Sequence, residues 1–156
     1  MSEQNNELDQ SHWFMDILQT IDVGLVVLDR QYTIKLWNGF MENHSGVRPD
    51  QAKGQCLFDL FAEIDEDWFK KKAEAVFLLN TRAFTISEQR PYLFKFKNNY
   101  PITGRAEFMY QNATMIPLNS IHGETDHICL IIYDVTTATM NKLDQEKAQH
   151  DKTKKA

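Results

Sequence analysis

No run of 18 apolar residues occurs in this 156-residue chain, so it holds no stretch suited to crossing a bilayer as a helix. Cysteine is scarce. Cys56 and Cys129 are the only two, too few for a disulfide framework or a thiolate metal cluster. A glycine-rich phosphate loop, a nucleophile elbow and an HExxH zinc motif are all missing. His12, His122, His127 and His150 have no ligand-like spacing, so no metal site is expected. Positive charge is in short supply as well. The formal net charge is -5, which argues against a nucleic-acid surface. The first 29 residues hold six acids and neither Lys nor Arg, whereas the stretch after Thr137 holds five Lys against three acids. Both ends read as solvated. The opening MSEQNNELDQ is polar and acidic, unlike a secretory leader. A cytoplasmic, reducing location is the expectation.

Large rings, by contrast, are plentiful: ten Phe, five Tyr and three Trp, in a chain that is 42% apolar. That is enough for one core, either packed ring on ring or left with a ring-lined cavity. The length suits one domain with short flanks. The strongest pattern runs from Phe108 to Thr136. FMYQNATMIPL and HICLIIYDVT flank a polar link containing Gly123, which predicts a hairpin. Its second strand is apolar on both faces: Ile128, Leu130 and Ile132 on one, Cys129, Ile131, Tyr133 and Val135 on the other. Such a strand needs cover on both sides.

Upstream, Phe14, Ile17, Leu18 and Ile21 fall at helical spacing within a helix predicted over 5–20. That stripe either docks on its own sheet or meets a second copy, which makes Phe14, Ile17 and Leu18 the candidate dimer contacts. DVGLVVLD (22–29) and YTIKLWN (32–38) predict a tight hairpin. GFMENHSGVRPDQAKG follows as short helical turns stopped at Gly46 and Gly54. CLFDLF (56–61) is a further helical turn. A proper helix spans 67–79, with Trp68, Ala73 or Ala75, Val76 and Leu79 able to face inward and Lys70–Lys72 outward. AFTISE (83–88) reads as an edge strand. QRPYLFKFKNNYPITG (89–104), punctuated by Pro91 and Pro101, is the odd segment. A strand at 92–96 is as far as its pattern goes, and a loop this long is often functional. After Leu143 the helical pattern fades, and DKTKKA reads as disordered.

These stretches resemble the PAS sensory domain family. GLVVLDRQYTIKLWN is similar to the first PAS hairpin, closing on Asn38. MENHSGVRPDQAKGQCLFDLF is similar to its short helices. TMIPLNSIHGETDHICLIIYDVT is similar to its last two strands and ends in the Asp-x-Thr signature. The likeness covers about residues 20–137 by its ordered motifs. It implies an α+β fold: a five-stranded antiparallel sheet with helices on one face and the N-terminal helix packing on the other. The implied division is an amphipathic helix at 1–20, a PAS domain at 21–137, and a helical or disordered tail at 138–156. QRPYLFKF, YPITG and FMYQNATMIPL are similar to PAS modules that precede diguanylate cyclase (GGDEF) domains in bacteria. The GGDEF motif itself is absent, so no cyclase activity is implied. The implied role is sensory or regulatory, linked to cyclic-di-GMP, in a homodimer that acts on an output domain or on a partner protein in trans.

PAS domains hold flavin, haem, organic ligands or nothing, and here the cofactor is left unassigned. GQCLFDLF places Cys56 where light-sensing flavin domains carry Asn, and Leu57 where they carry the reactive Cys. Residues 55–80 contain no His for haem, and His44 upstream reads as an exposed residue. A small organic ligand would be lined by Phe58, Trp68, Phe69, Val76 and Phe77. Tyr110 and Asn112 would be polar groups in that lining if their face points inward, bonded either to the ligand or to backbone of the 89–104 loop. Arg90 is either an anion clamp or the partner of an acid such as Glu107. Asp59, Glu63, Asp65 and Glu66 read as a solvated turn, not a catalytic set. Asp134 and Thr136 mark the signal exit. Two other classes remain in play: a ligand-free dimerisation or interaction module, and a small enzyme on a similar fold.

Overall fold

In the computed structural model, residues 2–98 and 106–154 are described. Helix α1 (Ser2–Thr20) leads into the hairpin of β1 (Gly24–Asp29) and β2 (Ile34–Trp37). Three short helices follow: α2 (Gly39–Ser45), α3 (Pro49–Ala52) and α4 (Leu57–Leu60). Then come α5 (Glu66–Leu79), β3 (Ala83–Thr85), β4 (Gln111–Asn119), β5 (Thr125–Asp134) and α6 (Thr136–Lys154). The strands form one antiparallel sheet in the order β2-β1-β5-β4-β3. The doubly apolar β5 is therefore central, as its composition requires.

Local chemistry explains the joints. Asp29 Oδ1 accepts from the backbone N–H groups of Gln31 and Thr33, both at 2.9 Å, and so closes the first hairpin. Tyr32 takes a left-handed conformation there (φ 63°), which swings its ring into the core. Asn38 caps α2 and is buried. Its Oδ1 accepts from Met41 N at 3.4 Å and Leu25 N at 3.0 Å, while its Nδ2 donates to Val23 O at 2.9 Å. Asp65 caps α5 through Trp68 N at 3.2 Å, and Asn80 ends it in a left-handed turn.

Alternation sets the two faces of the sheet. Val26, Leu28, Ile34, Ala113, Met115, Ile128, Leu130 and Ile132 point into the core under the helices. The other face carries two cross-strand rows, Phe84·Thr114·Ile131·Leu25 and Ile116·Cys129·Val27·Leu36. These side chains are half-buried apart from Phe84, which is exposed.

Several expectations need correcting. The main contact of α1 is with α2 and not with the sheet, and Phe14 and Ile17 are 63% and 53% exposed. On α5 the inward residues are Phe69, Ala73, Val76 and Phe77. Leu79 is exposed and Trp68 only half-buried, because the helix is rotated toward its Phe-bearing stripe. β3 is an edge strand but shorter than 83–88. The segment 89–104 carries no strand at 92–96; its residues 96–98 instead run antiparallel to 107–109, tied by Met109 N to Phe96 O (2.8 Å) and Asn98 N to Glu107 O (3.1 Å). Its stretch from residue 99 to 104 lies outside the described residues. DKTKKA, expected to be disordered, continues the helix of the tail as far as Lys154.

Candidate functional site

Rings fill the space between the helices and the sheet in two groups. Tyr32, Phe58 and Phe69 form a triangle with centroids 5.4, 5.9 and 5.6 Å apart. Trp37 stacks on Phe61 at 5.5 Å, and Phe94 stands against both, at 6.1 and 5.0 Å. Phe94 also stacks on Phe96 at 5.3 Å. Each such pair contributes about 0.5–1.5 kcal/mol beyond burial. Phe94 makes three of them and so anchors residues 89–98 to the core.

The expected lining is thus split. Phe58 and Phe69 stand together, and Phe77 is buried farther along the same helix, with the Arg30 guanidinium 5.2 Å from its ring. Trp68 stands outside, with Arg90 at 4.0 Å and Lys72 at 5.2 Å from its ring centroid. Arg90 reaches Asp65 at 3.9 Å, not Glu107. Lys72 is not a purely wet residue of its helix either. It donates to Phe84 O and Thr85 Oγ1, both at 2.6 Å, and burial followed by the Arg90 charge lowers its pKa. The acids nearby have structural or solvated roles: Asp65 caps α5, Glu66 pairs with Lys70 at 2.7 Å, and Asp59 and Glu63 are exposed.

Tyr110 and Asn112 do not point into the core. The opposite face of the strand turns inward, and Gln111 points into the core in their place. Gln111 is 2% exposed. Its Oε1 accepts from the N–H groups of Leu93 and Phe94, both at 3.0 Å, and its Nε2 donates to Phe94 O at 2.8 Å. One side chain thereby serves three backbone groups of residues 89–98. Leaving such buried groups unpaired costs about 1–3 kcal/mol each. The signal in the sequence was the shared period of Gln111, Ala113 and Met115. Asn112 instead accepts from Ser87 N at 2.9 Å, beyond the end of β3.

Where β5 becomes α6, Asp134 and Thr136 form a clasp. Asp134 Oδ1 accepts from Thr136 N at 3.0 Å and from its hydroxyl at 2.6 Å. The same hydroxyl oxygen accepts from Tyr110 N at 3.0 Å, and Val135 N donates to Tyr110 O at 2.9 Å. Thr136 is buried. Farther along α6, Thr139 meets Ser87 at 3.3 Å and Lys142 pairs with Glu88.

His44 is half-buried, not exposed. Its ring lies 4.3 Å from Phe40 and 6.0 Å from Phe96. Burial lowers its pKa, against the opposing pull of Asp134 and Asp22. Cys129 is half-buried on the outer sheet face, and burial pushes its thiol up. Cys56, also half-buried, precedes α4. Among the described residues no group of three or more His, Cys, Asp or Glu could hold a metal ion. Among them, too, no helix is long and apolar enough to cross a membrane.

The family model described as the PAS fold matches residues 18–139. The chain belongs to the PAS fold family. As a PAS domain it is of the sensory kind typical of signal-transduction proteins. It is similar to the sensory box sensor histidine kinase structure from Vibrio cholerae, at 28% identity and a TM-score of 0.59, covering 85% of this chain and 98% of that one. The PAS domain of an HTR-like protein from Haloarcula marismortui shares the fold at 13% identity and a TM-score of 0.61, covering 86% and 99%. A PAS domain from Colwellia psychrerythraea does so at 16% identity and a TM-score of 0.59, covering 83% and 98%. No curated protein matches the chain.

Proposed function

We propose that this PAS domain is a sensory module that binds a small organic ligand in its ring-lined core and passes the resulting change through β5 into α6. The observation that carries the reading is the clasp of Asp134, Thr136 and Tyr110, since it joins the sheet that walls the core to the helix that leaves it. A ligand acts by binding the two arrangements of that junction unequally. The output is a further domain or a partner in trans. The likeness of QRPYLFKF, YPITG and FMYQNATMIPL to modules preceding diguanylate cyclases favours a bacterial pathway linked to cyclic-di-GMP. No reaction is assigned to the domain itself.

A second reading is a ligand-free dimerisation module. It is favoured by the packed rings and by the exposed Trp13, Phe14, Met15 and Ile17 on α1. An exposed apolar patch of this kind, together with the half-buried outer face of the sheet, suits a second copy of the chain.

Native mass spectra of the protein purified from its own host address both readings. The sensory reading expects a dimer with excess mass per subunit over the denatured chain. A dimer with no excess mass favours the interaction module. Phe14→Asp with Leu18→Asp is expected to convert the dimer to monomer in the same spectra. An undisturbed dimer removes α1 as the contact.

A further inference from the structure

Residues 109–111 hold two different parts of the chain by turns. Met109 N donates to Phe96 O at 2.8 Å, and Gln111 N donates to Pro91 O at 2.9 Å. Between them, Tyr110 turns its N–H to the Thr136 hydroxyl and its carbonyl to Val135 N. The alternation follows from extended backbone, in which successive residues face opposite sides. Residues 89–98 thus lie on one edge of this stretch and the exit to α6 on the other. Gln111 is also paired in register with Asp134, the acid of the clasp. The carboxamide of Gln111 adds three further hydrogen bonds to Leu93 and Phe94. Phe94, so held, fills the gap beside Trp37 and Phe61.

We propose that residues 89–98 are a strap whose Phe94 plugs the core, and that Gln111 is the latch that reports the position of the strap to α6. This rests on the sensory reading and adds its route. An occupant reaching the ring cluster displaces Phe94. The Gln111 carboxamide loses its partners, and Met109 and Gln111 lose their backbone hold on the strap. Tyr110, which lies between those two residues, then shifts against Val135 and Thr136. Closed strap and tight exit form one state, and open strap and loosened exit the other. Gln111 is a positioning residue here, because it acts through the strap and the clasp.

Amide hydrogen exchange on the full chain tests this. Gln111→Met keeps the apolar volume and removes both hydrogen-bonding functions. It is expected to speed exchange at Leu93 and Phe94 by about tenfold, the factor that a buried hydrogen bond of ordinary strength carries. A smaller rise is expected at Tyr110, Val135 and Thr136, with the α5 amides from 69 to 77 unchanged. Faster exchange confined to Leu93 and Phe94 overturns the latch, since a merely structural glutamine gives that result. The wild-type chain supplies a second test that needs no variant. In low denaturant, the amides of Leu93, Phe94, Tyr110, Val135 and Thr136 are expected to open together, below the free energy of global unfolding. Separate openings for the strap and the exit overturn the proposal. If the exit amides respond to removal of a retained ligand but not to Gln111→Met, the strap route fails while the sensory reading stands.

Discussion

Gln111 and Tyr110 differ by one position, and that position decides which of them meets the core. Alternation by itself puts Tyr110 and Asn112 on one face with Phe108, Thr114 and Ile116, and Gln111 on the other with Met109, Ala113 and Met115, without saying which face turns inward. The choice is settled by pairing: Ala113 sits opposite Ile132 and Met115 opposite Leu130, both fully buried. A buried polar residue is legible only once its partners are known, and those of Gln111 are backbone groups of a segment without regular structure. His44 shows the same limit, because its burial comes from Phe40 and from Phe96, which lies far along the chain. Its lowered pKa carries a testable sign. The folded state binds the proton less readily than the unfolded chain, where the value is near 6.5. His44 therefore contributes stability above about pH 6.5 that is lost as pH falls through its folded pKa. Denaturant unfolding at pH 8 and pH 5 is expected to show a larger loss in wild type than in His44→Phe, which keeps a ring beside Phe40. Equal losses would remove His44 as the cause.

At the level of elements, the strongest periodicities were readable. The two hairpins, the run of short helices and α5 stand close to where composition and turn residues placed them. The misjudged details depend on tertiary contact. Leu79 and Trp68 match an inward stripe as well as Phe69 and Phe77 do, and only packing against β4 and β5 selects the latter pair. The sequence left the partner of α1 as a choice between its own sheet and a second copy, and within the chain the helix contacts α2 instead. The contact it does make is a close one. A Cβ on Gly39 would lie 2.0 Å from the backbone oxygen of Gln19. Within a helix, Gly→Ala is ordinarily stabilising by about 0.5–1 kcal/mol. At this position the clash overrides that gain, because main chain cannot yield as a flexible side chain does. Gly39→Ala is expected to detach the end of α1 from α2, so that amides at 16–20 exchange freely while those of the sheet stay protected. Unchanged protection at 16–20 would contradict this contact.

For the whole molecule, the doubly apolar β5 organises everything else. Its inner face closes the ring-filled core. Its outer face continues the two apolar rows from Phe84 to Leu25 and from Ile116 to Leu36. Its end hands the chain to α6. That plan was legible because it rests on local pattern and order along the chain. The strap was not, because Phe94 and Phe96 belong to a segment whose cover of the core is made by long-range contacts with Trp37, Phe61 and Gln111. The central claim is that occupancy of this core is felt where β5 passes into α6. The most direct test compares amide exchange across residues 130–145 in protein as isolated from its host and in the same protein after unfolding, removal of small molecules and refolding. Faster exchange in the isolated protein, centred on Val135 to Thr139, is the predicted result, because an occupant that opens the strap loosens the exit. Identical exchange across that stretch in the two preparations would contradict the account.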